Sequence, residues 1–598
     1  MKKCFFALSV LFLGASFWTS CDLFDEDGGT NNGNSDSSLS IVTATETVDE
    51  TYSSGKTIFE VTPKTKTLNI SGLTSGKDVY LAKVNTSSET VGLSKQRTVK
   101  TADGYRAALA NGGEVSTILE KGVGQKFKHF HGEKITLEDA QNAARSARAA
   151  TALTEKDQIN REVGTTKPIY VDTNVNMNSY SAKGATLRAV GRYCNVWVVD
   201  DYYTAGTATK GSPKVDSKIA KDFAKKFDAF YPIVRNVFGN ESDNIVYSYS
   251  SEKTLKAASA AYPMSSYSDT GKIVNIVLYD IGADYGKSSQ CGVLGYFYAK
   301  DYYSKTTGSN TVLDYSNQGK YFYIDSAYAV SDFETTVSTL AHEFQHMVNF
   351  GMKDMEQGVT PDTAYNEMLS MLCEDMMAEH LDLDDTESVK AERLPHFNTS
   401  YFLSGIREYR NDSYAALSYS TSYGFGSWLC RQYGGADLVK AIMANGLADN
   451  ASLVAAVNEV NKDNNKSYTF DDLFKQFLIA CTNGGAKSGY THNQDASATI
   501  TYDDYTYPMT AIDLWDTNSE WAYTESNFLV RGQKEAMAGT QTGTNWAGPF
   551  LFSTAYGCEL RPNYGITLHK IGETAGDTLS LTFSDEGADC ITMYVIVQ

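Results

Sequence analysis

Residues 331–351 read SDFETTVSTLAHEFQHMVNFG and contain the pattern His-Glu-x-x-His at positions 342–346. Apolar side chains recur here at the spacing of one helix face, namely Phe333, Val337, Leu340, Ala341, Phe344, Met347 and Val348. Ser331, with Glu334 three residues later, has the form of a capping box, and Gly351 is a typical helix stop. The stretch therefore predicts an amphipathic helix whose apolar face packs on a core while its histidines face a cleft.

The two histidines of the pattern have the spacing of a metal site. His342 and His346 differ by about 40° around a helix axis, so both imidazoles can reach one cation. Glu343 lies between them and can reach a water molecule on that cation. Zinc lowers the pKa of such a water, and a carboxylate beside it takes the proton as the water attacks a carbonyl. The spacing indicates a zinc hydrolase with Glu343 as general base.

A zinc site of this kind needs a third protein ligand. The extended metzincin pattern would require glycine at 349 and histidine at 352, and this chain has Asn349 and Met352 there. The metzincin class is therefore excluded.

A second predicted helix offers a carboxylate instead. Thr360-Pro361 is a good helix start, and Glu367 lies on the face opposite the apolar residues of that helix. Glu367 follows His346 by 21 residues, which leaves room for a turn and an antiparallel return. The other candidates on this reasoning are Glu356, Glu374, Glu379 and His380.

The two segments together resemble a known family. LAHEFQHMVN at 340–349, followed by NEMLSMLCED at 366–375, is similar to the gluzincin metallopeptidases and most similar to the hyicolysin family. The resemblance implies a zinc ion held by the two motif histidines and Glu367, with Glu343 as the catalytic residue. A weaker likeness extends over about 166–480.

This chain departs from the thermolysin-like members at one position. They place an aspartate four residues after the ligand glutamate, where this sequence has Met371. Glu374 or Asp375 is then expected to hold a ligand histidine in place.

Peptide hydrolysis also needs a donor to the developing oxyanion, and gluzincins often use a tyrosine or histidine outside the helix pair. Tyr423, expected at the start of a later helix, is the candidate for this role. His380 and His396 are the alternatives.

The N-terminus has the form of a bacterial lipoprotein signal. Lys2 and Lys3 precede an apolar stretch over 5–18, and a small residue stands directly before Cys21. Residues 1–20 are expected to be removed and Cys21 to carry lipid, which would anchor the protein on a bacterial membrane, at its periplasmic face or the cell surface.

The remaining chain divides by composition and by strand and helix patterns. We expect a flexible acidic and Gly-Asn-Ser-rich tether at 21–40, a β module at 41–113, a linker or pro-like segment at 114–165, a zinc metallopeptidase domain at 166–490 and a second β module at 491–598. Within the peptidase domain, strands come first and helices follow. The predicted fold is therefore an α+β zincin-like domain, a mixed sheet followed by helices, flanked by small all-β sandwich-like modules.

The bulk charge limits the partners. The formal net charge is −20, and no basic stripe offsets it, so nucleic-acid binding is not expected. The predicted function is an extracytoplasmic zinc peptidase acting on proteins or peptides. The alternative is a non-catalytic surface lipoprotein or adhesin that uses a degenerate peptidase scaffold.

Overall fold

The computed structural model describes residues 39–598 apart from 108–114, 122–134, 136–138, 140–160, 243–246, 250–254, 258–272, 289–290, 304, 309, 411, 413, 483–500, 503–504, 539, 543 and 554–556. The signal segment, Cys21, nearly all of the tether and most of the segment 114–165 lie outside the described residues, so the predictions made for them stay predictions. Within the described part, no helix is both long enough and apolar enough to cross a membrane.

The described strands are numbered in chain order. They are β1 (Ile41–Thr43), β2 (Glu46–Thr51), β3 (Ile58–Val61), β4 (Thr65–Ser71), β5 (Asp78–Asn85), β6 (Val99–Asp103), β7 (Tyr105–Ala107), β8 (Thr166–Asp172), β9 (Tyr180–Val190), β10 (Cys194–Val199), β11 (Tyr247–Tyr249), β12 (Leu255–Ala257), β13 (Val274–Tyr279), β14 (Gly295–Phe297), β15 (Tyr321–Asp325), β16 (Thr501–Tyr502), β17 (Tyr505–Thr506), β18 (Thr540–Thr542), β19 (Asn545–Ala547), β20 (Gly565–Thr574), β21 (Thr578–Phe583), β22 (Glu586–Ala588) and β23 (Ile591–Val597).

The described α-helices are α1 (Ser217–Phe238), α2 (Ser326–Ser331), α3 (Phe333–Asn349), α4 (Thr363–Met377), α5 (Val389–Ser400), α6 (Ala415–Tyr433), α7 (Ala436–Ala444), α8 (Asp449–Val460), α9 (Phe470–Thr482) and α10 (Gln533–Ala536). A π-helix, Phe350–Gln357, continues directly from α3.

A mixed six-stranded sheet precedes the helices, in the order β14-β15-β13-β10-β9-β8. β13 pairs in parallel with β10 and β15, while β14 and β8 are antiparallel edge strands. α1 packs on β9 and β10 of this sheet and against α3, which packs on β14 and β15. The rings of Phe227 on α1 and Phe344 on α3 lie 5.2 Å apart edge to face. The predicted order of sheet followed by helices is confirmed, and this mixed α/β arrangement is compatible with a peptidase domain.

The two ends of the chain fold together, which corrects the prediction of two separate β modules. One sheet has the order β3-β23-β5-β20-β7 and another the order β2-β4-β21-β6, so each combines strands from both ends. β5 is the reason: it is buried along almost its whole length and needs a partner on each side. Val84 of β5 pairs with Ile566 of β20 on one side and Thr592 of β23 on the other.

The first half of the predicted C-terminal module instead packs on the helical region. The Phe550 amide donates to the carbonyl of Asn398 at 2.7 Å, and the Tyr401 hydroxyl donates to the Phe550 carbonyl at 2.7 Å. Asn398 also donates to the Trp521 carbonyl at 3.3 Å. The boundary predicted at 490 therefore does not separate two independently packed units.

The ends of the motif helix differ from the prediction. Asp332, not Ser331, is the N-cap of α3, and its carboxylate accepts from the Thr335 amide. Gly351 does not end the helix, because the π-helix runs on to Gly358, which has a φ of 71°. Gly351 instead allows the backbone of residues 240–242 to approach closely, since a Cβ there would lie 2.7 Å from the Ser242 amide nitrogen.

The second helix also begins later than predicted. Asp362 caps α4 by accepting from the Tyr365 amide at 2.7 Å, so Pro361 precedes the cap rather than occupying the first helical position.

Candidate metal centre

Helices α3 and α4 pack against each other and bring three ligand-type side chains together. One ligand atom from each of His342, His346 and Glu367 lies within 4.8 Å of the other two, and all three residues are buried. Glu367 Oε2 lies 3.1 Å from His342 Nε2, and Glu367 Oε1 lies 3.4 Å from His346 Nε2. This is the only such group of histidine, cysteine and acidic ligands among the described residues.

The cluster has the chemistry and the size of a zinc site. Zinc takes two imidazole nitrogens and a carboxylate oxygen at roughly 2.0–2.2 Å in tetrahedral geometry. Tetrahedral ligands at that distance are separated from each other by roughly 3.3 Å. The distances of 3.1 Å and 3.4 Å, one from each oxygen of Glu367, are of that size. The donor types and the size of the cluster therefore fit a zinc ion.

The electrostatics of the cluster favour a positive charge at His342. Burial lowers the pKa of this histidine, but hydrogen bonds and charge from Glu367 and Glu374 outweigh burial and raise it to about 10. Two carboxylates thus converge on one buried imidazole. A site that stabilises a proton in this way also stabilises a cation that replaces the proton.

Glu374 holds His342 in the orientation that a ligand needs. Its Oε1 lies 2.7 Å from His342 Nδ1, and its Oε2 accepts from the Ser338 hydroxyl at 2.6 Å. With Nδ1 donating to Glu374, Nε2 of His342 is directed to the cluster. Glu374 is therefore the residue that holds a ligand histidine, a role for which the sequence left Glu374 and Asp375 as candidates. It lies about one helix turn after Met371.

His346 is oriented by groups on the first half of α4. Its Nδ1 lies 3.1 Å from Asn366 Oδ1 and 3.0 Å from the Ser370 hydroxyl. Asn349 Nδ2 donates to the same Asn366 oxygen at 2.8 Å. Both motif histidines are thus held in orientation by side chains of α4, the helix that also supplies Glu367.

Glu343 follows His342 on α3 and is completely buried with the cluster. The other candidates for the third ligand lie elsewhere. Glu356 is exposed on the π-helix, Glu379 is in a short helical turn after α4, and His380 Nε2 lies 2.9 Å from the Thr506 carbonyl oxygen.

Tyr423 lies in the middle of α6, not at a helix start as predicted. Its hydroxyl donates to Asp375 Oδ2 at 2.8 Å, and Arg431 donates to the same carboxylate at 2.8 Å and 3.1 Å. Burial and the Asp375 charge raise the pKa of Tyr423 well above its usual range. These contacts make Tyr423 a buried link between α6 and α4, and they turn its hydroxyl toward Asp375.

Close packing supports this link. A Cβ on Gly426 would lie 2.4 Å from Cγ of Met368, so α6 approaches α4 through a position that has no side chain. His396, the remaining alternative to Tyr423, is on α5, and burial, with the charge of Arg393, lowers its pKa to about 4.

Tyr409 is a further tyrosine that feels the charge of Glu367, and sequence reasoning missed it. Burial, followed by the charge of Glu367, raises its pKa well above the usual range. Its hydroxyl lies 3.2 Å from that of Tyr419 on α6. Tyr409 lies in the connection between α5 and α6, and no helical or strand pattern distinguishes it from the other tyrosines of the chain.

Two comparisons with known proteins relate the chain to metallopeptidases. Residues 181–514 match the family model described as Peptidase M30. Over 326 residues the chain is 26% identical to the Neutral metalloprotease ShpI of Staphylococcus hyicus. This alignment covers 52% of the chain and 61% of the relative, so the chain spans less than two thirds of the relative's length. The family match contains the whole cluster together with Glu343, Tyr409 and Tyr423.

Proposed function

Because the chain belongs to the peptidase M30 family, the hyicolysin family that the motif resembles, we propose that it is a zinc-dependent peptidase with a gluzincin site on a zincin-like fold. The observation that carries the proposal is the buried group of His342, His346 and Glu367, with Glu343 on the same helix turn as its first member. The substrates are proteins or peptides.

The residues around the cluster divide the chemistry among them. Zinc bound by His342, His346 and Glu367 would polarise the scissile carbonyl and lower the pKa of the attacking water to about 7. Glu343 takes the proton from the attacking water and passes it to the leaving nitrogen, as a general base and then a general acid. Glu374 fixes the orientation of His342 throughout.

We assign the oxyanion donor to Tyr409 rather than Tyr423. Tyr409 is half-buried, the charge of Glu367 adds to burial in raising the pKa of its hydroxyl, and it lines a cavity beside α4. A phenol in this place can donate to the oxygen on which negative charge develops. The hydroxyl of Tyr423, by contrast, is directed to Asp375.

Substitution of the two tyrosines is expected to separate these roles. Tyr409→Phe should lower kcat by about 10²-fold with zinc content unchanged, because a transition-state donor is lost. Tyr423→Phe should lower the free energy of unfolding by about 1–3 kcal/mol, because Asp375 loses a buried donor, and should change kcat little. Steady-state kinetics and urea unfolding on both variants measure this. The reverse pattern would return the oxyanion role to Tyr423.

The proposed function itself is tested by metal removal and return. The purified protein should hydrolyse casein, lose that activity with a chelator, and regain it with stoichiometric Zn²⁺ but not with Mg²⁺, whose preference is for oxygen ligands. Chelator-resistant hydrolysis would contradict the zinc mechanism. A zinc-loaded protein that cleaves neither casein nor a peptide library would favour the non-catalytic surface lipoprotein.

The proposed location is extracytoplasmic, with the protein anchored by lipid on Cys21. Support comes from the sequence alone: a basic N-terminus, an apolar stretch and a small residue before the cysteine. Mass spectrometry of the intact protein for acyl chains on Cys21 tests this.

A further inference from the structure

A cavity of about 870 Å³ opens at the start of α4, the helix that carries Glu367. Asp362, Thr363 and Ala364 of its first turn line the cavity, and so does Tyr409. At 1.5 Å per residue, the cap residue Asp362 lies about 7.5 Å along the helix axis from Glu367. Along α4, the cavity therefore lies about one helix turn before Glu367.

The exposed charge in this cavity is negative. Asp362 and Asp449 keep 45% and 41% of their side chains exposed, whereas the side chain of Arg407 is only 5% exposed. Arg407 Nη2 donates to both carboxylate oxygens of Asp362, at 3.0 Å and 2.8 Å, and lies 3.8 Å from Asp449 Oδ1. Arg407 thus compensates Asp362 directly, whereas Asp449 Oδ1 accepts from the neutral amide of Asp362 at 2.8 Å.

The environment of Asp449 agrees with this imbalance. Burial raises the pKa of Asp449 and the charge of Asp362 raises it further, while the hydrogen bond from the Asp362 amide and the charge of Arg407 offset the shift only in part. A ligand that brings a positive charge next to Asp449 would relieve the repulsion between the two carboxylates.

Two buried polar atoms of residues that line the cavity have no hydrogen-bond partner within the part of the chain that the structure describes. They are Nη1 of Arg407, which is a donor, and Oδ1 of Asn450, which is an acceptor. A buried donor or acceptor without a partner is costly, so such atoms point to a missing ligand group. A peptide unit supplies the two complementary groups, a carbonyl oxygen and an N–H.

We propose that this cavity is a substrate subsite that binds a lysine or arginine side chain of the peptide. The carboxylate of Asp449 takes the cationic group, and the rings of Tyr409 and Tyr564 line its path. Arg407 and Asn450 hold the substrate main chain. The inference rests on the proposed peptidase function and adds the class of substrate residue selected.

The subsite also gives the paired β sheets a role. Asn563 and Tyr564, directly before β20, line the cavity and have φ angles of 52° and 64°, values that residues other than glycine rarely adopt. Their carbonyls accept from the amides of Arg407 at 3.0 Å and Ile406 at 3.2 Å. The C-terminal strands thereby fix one wall of a peptide-binding cavity that the helices begin.

Binding to an inert enzyme tests the subsite separately from catalysis. The probe is a set of fluorescein-labelled alanine-glycine octapeptides that carry one Lys, one norleucine or one Glu at each position in turn. Zinc-loaded full-length protein with Glu343→Gln should bind the best Lys peptide about fivefold more tightly than its norleucine counterpart, and the preference should weaken with salt. Fluorescence anisotropy measures each Kd.

Asp449→Asn, added to the zinc-loaded Glu343→Gln protein, should reduce the preference for Lys over norleucine peptides to about onefold. Asparagine keeps the oxygen that accepts the Asp362 amide at 2.8 Å, and it tolerates the φ of 56° at this position, so the fold is preserved. Asp463→Asn, a change at an exposed carboxylate after α8, is the matched control and should keep the preference.

Three results would overturn the proposal: equal binding of Lys and norleucine peptides by the Asp449-containing protein, tighter binding of Glu peptides, or a Lys preference that survives Asp449→Asn. The first two need no variant at position 449. Failure of the proposed function gives a different result, namely Lys-selective binding with no zinc-dependent hydrolysis by the protein that retains Glu343.

Discussion

Glu343→Gln is expected to lower turnover by roughly 10²–10⁴-fold while zinc content stays the same, because a general base is lost and no ligand is removed. Glu343 is completely buried beside the cluster, and glutamine has almost the same volume, so α3 should keep its packing. Steady-state hydrolysis of a fluorogenic peptide and elemental analysis of the dialysed protein give the two numbers.

Glu356→Gln is the matched control for this change. Glu356 lies on the π-helix that continues α3 and is exposed, so its amide variant should retain both activity and zinc. Loss of zinc in Glu343→Gln, in proportion to lost activity, would mean that Glu343 is a ligand and that the roles within the motif are misassigned.

Much of the site could be predicted from the sequence because its geometry is local. Helical spacing alone places His342 and His346 on one side of α3, and the same argument puts Glu367 on the polar side of α4. The choice of Glu367 over Glu374 depended on the family resemblance. In the structure, Glu367 lies between both histidines, whereas Glu374 contacts the far nitrogen of His342.

What the sequence could not show depends on contacts between distant segments. Tyr423 and Tyr409 are both tyrosines near polar groups, and only the packing of α6 on α4 decides that the first meets Asp375. The pairing of the β strands could not be predicted either, since nothing in the sequence of β5 indicates that its partners β20 and β23 lie about 500 residues later. Helix ends also shifted, because the aspartates at 332 and 362 cap as well as the residues predicted for this role and accept the amides of Thr335 and Tyr365.

Glu367→Ala is expected to remove most of the zinc affinity and nearly all activity, because two histidines one helix turn apart do not hold zinc tightly without a third ligand. Glu374→Ala should lower zinc affinity less, by roughly 10- to 100-fold, since Glu374 acts through the orientation of His342. Competition with a zinc-chelating dye measures both affinities, and far-ultraviolet circular dichroism verifies the fold. Should Glu367→Ala not fold, Glu367→Gln keeps the volume and weakens the ligand.

Glu379→Ala is the control, because Glu379 follows α4 but lies outside the cluster, so its loss should leave zinc binding unchanged. The ranking of the variants decides the assignment. If Glu367→Ala keeps full zinc occupancy while Glu374→Ala loses it, Glu374 is the third ligand. In that case the 3.1 Å and 3.4 Å approaches of Glu367 to the two histidines would reflect hydrogen bonding alone, and the gluzincin assignment of the site would be wrong.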